Sequence, residues 1–296
     1  MSAPILVFGA GGQVGQEVLA RARELGLEAR GFLRSEVDIT DRDAVSRAVE
    51  HVKPRLVLNA AAFTAVDKAE SDISAAEACN VRGAGNISLA TAALNIPIVH
   101  ISTDYVFDGS KPSAYVETDP VSPLGVYGRT KAEGEAAVRS ANPRHVILRT
   151  SWVFGQFGAN FLKTILRLSG ERDTLRIVAD QHGCPTSTRD IAEAVFAVDR
   201  ALDQEATVWG TYHFAGSEAT TWHEFATLIV ESQAPYTGRK PSVTPITTAE
   251  YPTPAKRPAN SELDSSMFTA TFGYKSADLV TRINETIAAI KPPRQK

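Results

Sequence analysis

Tyr127 and Lys131 stand four residues apart, a spacing that on a helix puts a phenol and an ammonium on one face. A cation beside a phenol favours the phenolate. The pair is therefore expected to bring the tyrosine down from its ordinary value of about 10 toward working pH, where it exchanges a proton efficiently. Upstream, the apolar run Ile96-Pro97-Ile98-Val99-His100-Ile101 leads into Ser102-Thr103-Asp104. The Thr103 hydroxyl is thus expected at the C-terminal end of a buried strand, where open α/β sheets bind ligands. A tyrosine and a lysine four apart also describe an ordinary surface pair, so the surrounding elements must decide.

Ile5-Leu6-Val7-Phe8 reads as a strand buried on both faces, followed by Gly9-Ala10-Gly11-Gly12-Gln13-Val14-Gly15 and a helix from about Gln13 to Leu25. Glycines at 9, 12 and 15 between a strand and a helix leave room for a pyrophosphate, whose charge the helix N-terminus meets. A second strand, about 28–33, ends at Arg34-Ser35-Glu36. Here an arginine would meet a ribose 2′-phosphate and an acid the 2′-hydroxyl, so Arg34 tilts the cofactor toward NADPH while Glu36 keeps NADH open. Asp38-Ile39 sits where the chain would turn under an adenine, and Thr40 or Asp41 is a plausible helix cap. A third strand, 55–62, ends in small residues, and an alanine-rich helical region is expected from about 68 to 94.

Alternation of strand and helix up to Thr103 implies right-handed crossovers and a doubly wound parallel sheet of Rossmann type. The stretch between Phe107 and Tyr127, punctuated by Gly109, Pro112, Pro120, Pro123 and Gly125, is a long loop, and such loops inside domains usually serve function. A strand at 145–149 leads to Trp152, whose indole would either line the same crevice or fill the core. Beyond about residue 155 the pattern changes to helical runs (160–168, 188–202, 222–233, 276–290) with short strands and proline-rich stretches. The expected organisation is a dinucleotide-binding domain, 1–154, and a smaller α/β substrate-binding lobe, 155–296, partly interleaved with the first. Arg257, in an expected loop, could hold a diphosphate or simply be a solvated charge.

The chain has 296 residues, 43% hydrophobic and 22% charged, with net charge -3. That balance, without a block of five like charges, argues against nucleic-acid backbones as partners. Cys79 and Cys184 match no metal-ligand spacing and suggest a reducing compartment. Neither a signal-peptide pattern nor an apolar run long enough to span a membrane is present, so a cytoplasmic location is expected.

The glycines at 9, 12 and 15, Asn59-Ala60-Ala61, Ser102-Thr103-Asp104 and Tyr127 with Lys131, in that order, resemble the extended short-chain dehydrogenase/reductase family. Within it, 62–70, Ser102 to Gly109, 126–131, 149–155, 180–186 and Arg257-Pro258 with Ser261 and Leu263 resemble the dTDP-4-dehydrorhamnose reductases. That resemblance implies reduction of the C4 ketone of a dTDP-4-dehydro-sugar by NADPH or NADH. It makes Tyr127 the proton donor, Lys131 the residue that orients the nicotinamide ribose and lowers the tyrosine pKa, and Thr103 the residue that bonds the reacting oxygen and tunes the tyrosine, with Asp104 and Trp152 on the sugar nucleotide. Gly12, Gln13 and Val14 would cover the pyrophosphate, Asp38 and Ile39 the adenine, and Ala62, Phe63 and Thr64 the middle of the cofactor. The relatives also include a non-catalytic dinucleotide-binding regulatory subunit, that of methionine adenosyltransferase, and reductases or epimerases of other nucleotide sugars. Family members that dimerise through Mg²⁺ use three glutamates. Glu17 and Glu285 match two of them, but Arg189 stands at the third, so no such metal is expected and the chain is read as a monomer or a homodimer.

Overall fold

A strand covered by helices on both faces has no polar side, which is why the central strands are short unbroken apolar runs. In the computed structural model, which describes residues 3–203 and 208–290, the first half runs β1 (Ile5–Phe8), α1 (Gln13–Glu24), β2 (Ala29–Phe32), α2 (Arg42–Val52), β3 (Leu56–Asn59), α3 (Val66–Ala69), α4 (Ile73–Glu77), a π-helical stretch (Ala78–Gly83), α5 (Ala84–Ala93) and β4 (Ile98–Thr103). A 3-10 turn (Asp104–Val106) and a long loop lead to α6 (Val126–Ala141) and β5 (His145–Thr150). Then follow β6 (Val153–Phe154), α7 (Phe161–Glu171), β7 (Thr174–Val178), β8 (His182–Gly183), β9 (Thr186–Ser187), α8 (Thr188–Asp203) and β10 (Gly210–His213). The chain closes with β11 (Thr220–Thr221), α9 (Trp222–Thr237), β12 (Ser242–Ile246), α10 (Ser266–Phe272) and α11 (Leu279–Ile290).

Six parallel strands form the main sheet in the order β2-β1-β3-β4-β5-β10. On one face Val18 and Ala22 of α1 pack with Ile191, Val195 and Val198 of α8 against Ile5, Leu58 and Val146. On the other, Val45 and Val49 of α2, Ile87 of α5 and Val138 of α6 cover Leu6, Val57 and Ile147. Each such fully buried side chain contributes roughly 1.5–3 kcal/mol. The doubly wound Rossmann-type sheet expected from the alternation is what forms. Interleaving is extensive: α8 covers one face of this sheet and β10 is its edge strand, although both come after residue 155. A separate core under β7 and β12 unites Leu162 and Ile165, Phe225 and Ile229, and Ile283 and Ile287 from α7, α9 and α11. The second-lobe residues 204–207 and 291–296 lie outside the described residues.

Local signals and tertiary demands agree at some ends and not at others. Asp41, not Thr40, caps α2 by accepting from the Ala44 amide at 3.0 Å. The helical region expected over 68–94 forms as α3, α4 and α5, with a π-helical interruption between α4 and α5. Its cause is Asn80, whose side chain accepts from the Phe63 amide (2.8 Å) and donates to the Phe63 carbonyl (3.2 Å) and Thr130 Oγ1 (3.0 Å). An extra residue in that turn aims Asn80 at the loop after β3, an arrangement that π turns near functional sites often provide.

Candidate active site

The chain leaves β1 toward β2 on one side and returns to β3 on the other, so the strand order reverses between β1 and β3. A crevice is expected outside the carboxyl ends at such a point. Two adjoining cavities of about 460 and 580 Å³ lie there, both lined by Gly11, Gly12, Ala60 and Ala62. Thr103, Asp104, Tyr127, Lys131 and Trp152 line the first together with Gln13, Val14 and Thr64. Arg34, Asp38, Ile39 and Phe63 line the second.

The glycines divide their labour. Gly9 has φ +82°, and a Cβ there would lie 2.6 Å from the Ala61 nitrogen, so only glycine lets β1 and β3 end side by side. A Cβ on Gly15 would lie 2.3 Å from the Gly9 carbonyl oxygen, so this glycine seats α1 on the turn. Gly12 faces the cleft and precedes a helix start that no side chain caps, with no acid in its first turn. The α1 amides and their positive end are thereby left for an anion.

At the presumed cofactor fork the structure separates the two side chains. Glu36 turns back to accept from the Leu33 amide at 2.7 Å, whereas Arg34 lines the cavity with most of its guanidinium exposed and bonds Asp38 at 3.2 Å. Asp38 is held low in pKa by the Thr40 amide and hydroxyl and by Arg34.

Tyr127 and Lys131 occupy one face of α6 as the spacing requires, but the electrostatics differ from the expected depression of the phenol. Burial pushes Tyr127 up to about 12, the neighbouring Thr103 hydroxyl opposing the rise and the Asp104 carboxyl adding to it. Desolvation of the phenolate outweighs any cationic help, because Lys131 spends its ammonium elsewhere. Its Nζ donates to the Ile101 carbonyl at 2.7 Å and stands 3.5 Å from His100 Nε2, and burial draws it down to about 8 against the pull of Glu135 and Cys79. His100 is buried and kept neutral by desolvation and by the charges of Lys131 and Arg139. Asn59 fixes its tautomer: Asn59 Oδ1 accepts from the Ala61 amide, so Nδ2 donates to His100 Nδ1 (3.0 Å) and the ring proton sits on Nε2.

Thr103 Oγ1 accepts from the Tyr105 amide (3.2 Å) and donates to Asp104 Oδ1 (2.9 Å). Burial pushes the Asp104 carboxyl up to about 7, despite the Ser261 and Thr103 hydroxyls that pull it down. Behind these groups Glu135, two helical turns beyond Tyr127, is wholly buried and bonded to Ser102 Oγ (2.6 Å) and to Arg149 through both oxygens (2.9 and 2.8 Å). This clamp ties α6 to the ends of β4 and β5.

Trp152 lines the cleft and packs its other side against the core under β7 and β12. It adopts φ +47°, and its ring stacks on Trp222 at 3.6 Å, with room left by Gly183, whose Cβ would lie 2.4 Å from the indole. Trp222, Tyr105 and His100 escaped the sequence reading. Trp222 opens a well-capped amphipathic helix, and nothing local reveals that this helix start folds over Trp152. Arg257 is not brought to the cleft: it pairs with Asp67 at 2.9 Å and bonds the Ala255 carbonyl, tying the 254–258 loop to the segment after β3. The residues expected around a family Mg²⁺ do not fit one. Glu17 is buried and bonded to Thr188 (2.8 Å), while Arg189 lies 3.9 Å from Glu285.

Sheet order, glycine turn and a tyrosine–lysine pair facing one crevice define the Rossmann-type, extended short-chain dehydrogenase/reductase class. Residues 3–291 match the RmlD substrate binding domain, and the chain belongs to that family. It is 44% identical to a dTDP-4-dehydrorhamnose reductase of Aggregatibacter actinomycetemcomitans over 280 residues, 93% of this chain and 95% of the relative. Among solved structures, a dTDP-4-dehydrorhamnose reductase from Clostridium acetobutylicum superposes with TM-score 0.90 at 38% identity, covering 97% of this chain and 99% of that one. The Bacillus anthracis enzyme, in complex with NADP, superposes with TM-score 0.88 at 31% identity and the same coverage.

Proposed function

We propose that this chain reduces the C4 ketone of dTDP-4-dehydro-β-L-rhamnose to dTDP-L-rhamnose, with NADPH as the preferred reductant. The observation that carries it is the convergence of Thr103, Tyr127 and Lys131 on one cavity that adjoins a second, cofactor-sized one. The glycine turn fits a dinucleotide: a Cβ at Gly9 or Gly15 would push apart the backbone that shapes the turn, and the uncapped α1 start suits a pyrophosphate. Arg34 supports a 2′-phosphate over a bare ribose. When bound, the nicotinamide supplies hydride to the carbonyl carbon.

The protein's part is positional and acidic. Tyr127, whose raised pKa keeps its proton in place at neutral pH, gives that proton to the oxygen as negative charge develops there. Lys131, anchored from behind by the Ile101 carbonyl, presents its ammonium toward the nicotinamide ribose. The Trp152–Trp222 pair supplies an aromatic wall for the sugar nucleotide. Two free thiols, Cys79 and Cys184, suit a reducing cytoplasmic setting.

Absorbance at the reduced nicotinamide band, with dTDP-4-dehydrorhamnose and each cofactor, tests this reading. The wild-type chain should oxidise NADPH, and Tyr127→Phe should lose about 10²–10⁴-fold in kcat while binding NADPH normally. Cofactor binding without turnover of the keto sugar would instead favour a regulatory dinucleotide-binding role.

A further inference from the structure

We propose that Asp104 is the proton reservoir of the site, refilling Tyr127 through the Thr103 hydroxyl. This rests on the reductase reading above. Three oxygens stand in series: the Thr103 hydroxyl lies beside the Tyr127 phenol, draws its pKa down and lines the same cavity, and Thr103 Oγ1 donates to Asp104 Oδ1 at 2.9 Å. Thr103 has one hydroxyl proton and two acceptor sites. While Asp104 is ionised, the Thr103 proton goes to Asp104 Oδ1, one acceptor site takes the Tyr105 amide and the other faces the phenol; a proton on Asp104 Oδ1 reverses that bond and turns the Thr103 proton toward the phenol oxygen. A hydroxyl so placed passes a proton in either direction by exchanging its donor and acceptor partners.

The carboxyl is suited to hold that proton. Asp104 is 3% exposed, and its Oδ2 is buried without a hydrogen bond of good geometry, the nearby Ser261 hydroxyl donating instead to the His182 carbonyl at 3.2 Å. A carboxylate used only as a structural anchor would have both oxygens satisfied. Facing it are the Thr103 and Ser261 hydroxyls, the Tyr105 amide and phenol, the Tyr127 phenol on α6 and the Cys184 thiol before β9. None of these is a cation that would hold the carboxylate ionised, and burial lifts its pKa to about 7.

The step balances without any further reactant. Once the carbonyl oxygen has taken the phenolic proton, the phenolate accepts the Thr103 hydroxyl proton as Thr103 accepts the proton on Asp104 Oδ1. The products are a phenol, a hydroxyl and a carboxylate, and solvent returns the proton to Asp104 between turnovers. No bond to carbon changes in this step, and no electrons move.

The test is kcat and KM against pH, from 5.5 to 9, for the wild type, Asp104→Asn, Thr103→Val, Thr103→Ser and Tyr127→Phe, with NADPH and dTDP-4-dehydrorhamnose. Asparagine keeps the Oδ1 acceptor, so Thr103 stays in place. The wild-type kcat should fall with one titration near pH 7. Asp104→Asn should lose tenfold or more in kcat below that pH and become flat through it, with KM changed less than about threefold. Thr103→Val should show the same loss, Thr103→Ser should restore it, and the Asn/Val double variant should be no worse than either single one, as for groups acting in one chain. A raised KM with an unchanged kcat–pH profile in Asp104→Asn would make Asp104 a sugar-binding residue and overturn the relay. An active wild type with a dead Tyr127→Phe and a normal Asp104→Asn overturns the relay alone, whereas an inactive wild type overturns both readings.

Discussion

Arg149→Met should destabilise the protein sharply, and the buried pair it breaks sets the size. Glu135 is 0% exposed and Arg149 3%, and the guanidinium holds both carboxylate oxygens. Burial by itself would raise the Glu135 pKa, yet the bonds and charge of Arg149, with Ser102 and Arg139, bring it below the usual carboxylate value. Removing Arg149 strands a buried charge, which costs about 3–5 kcal/mol. The lower part of that range applies, since Arg139 still reaches Oε2 at 3.2 Å from a half-exposed position. At about 2 °C per kcal/mol for a chain of this length, Tm should fall by roughly 6–8 °C in thermal unfolding at pH 7. Glu135→Leu with Arg149→Met removes both charges and should return to within about 2 kcal/mol of the wild type, the residue being the stranded Ser102 hydroxyl. A single variant within a degree of wild type, or a double variant less stable than the single one, would refute the reasoning.

Four further outcomes are expected. A carboxyl raised from about 3.9 unfolded to about 7 folded stabilises the fold fully below about pH 4 and loses that contribution as pH rises through 7, on the order of 4 kcal/mol for three units. Asp104→Asn should therefore melt several degrees above wild type at pH 8 and with it at pH 4; an equal difference at both would mean Asp104 does not titrate on folding. Gly15→Ala forces a Cβ to 2.3 Å from the Gly9 carbonyl oxygen and should cost about 1–3 kcal/mol in urea unfolding and weaken NADPH binding at least tenfold, while Gly170→Ala, with nothing within 4 Å, should stabilise α7 by about 0.5–1 kcal/mol. Arg34→Ala should raise the KM for NADPH roughly 10- to 100-fold and leave that for NADH nearly unchanged; parallel changes in both would remove Arg34 from 2′-phosphate recognition.

Several features were legible because they are local. Ile5–Phe8, the spaced glycines and the 3.6-residue periodicity of α1 each carry their own instruction, and strand–helix alternation leaves few topologies other than a doubly wound sheet. The four-residue spacing of Tyr127 and Lys131 likewise could only place them on one face of α6. Where α8 and β10 would dock was not legible, since an amphipathic helix or short strand states that it has an apolar face but not which surface completes it.

What the linear order determined, then, is the kind of fold and the side chains offered to the cleft. The tertiary structure alone decided their chemistry and their company. Desolvation, a property of everything packed around a group, set Tyr127 high where a neighbouring cation suggested low, lifted Asp104 to about 7 and lowered Lys131 to about 8. Long-range contacts put Trp222 on Trp152, 70 residues earlier, and gave Arg257 to Asp67 rather than to the cleft. Spacing along a helix is encoded in sequence, but dielectric environment and partners as far as 190 residues away exist only once the chain has closed on itself.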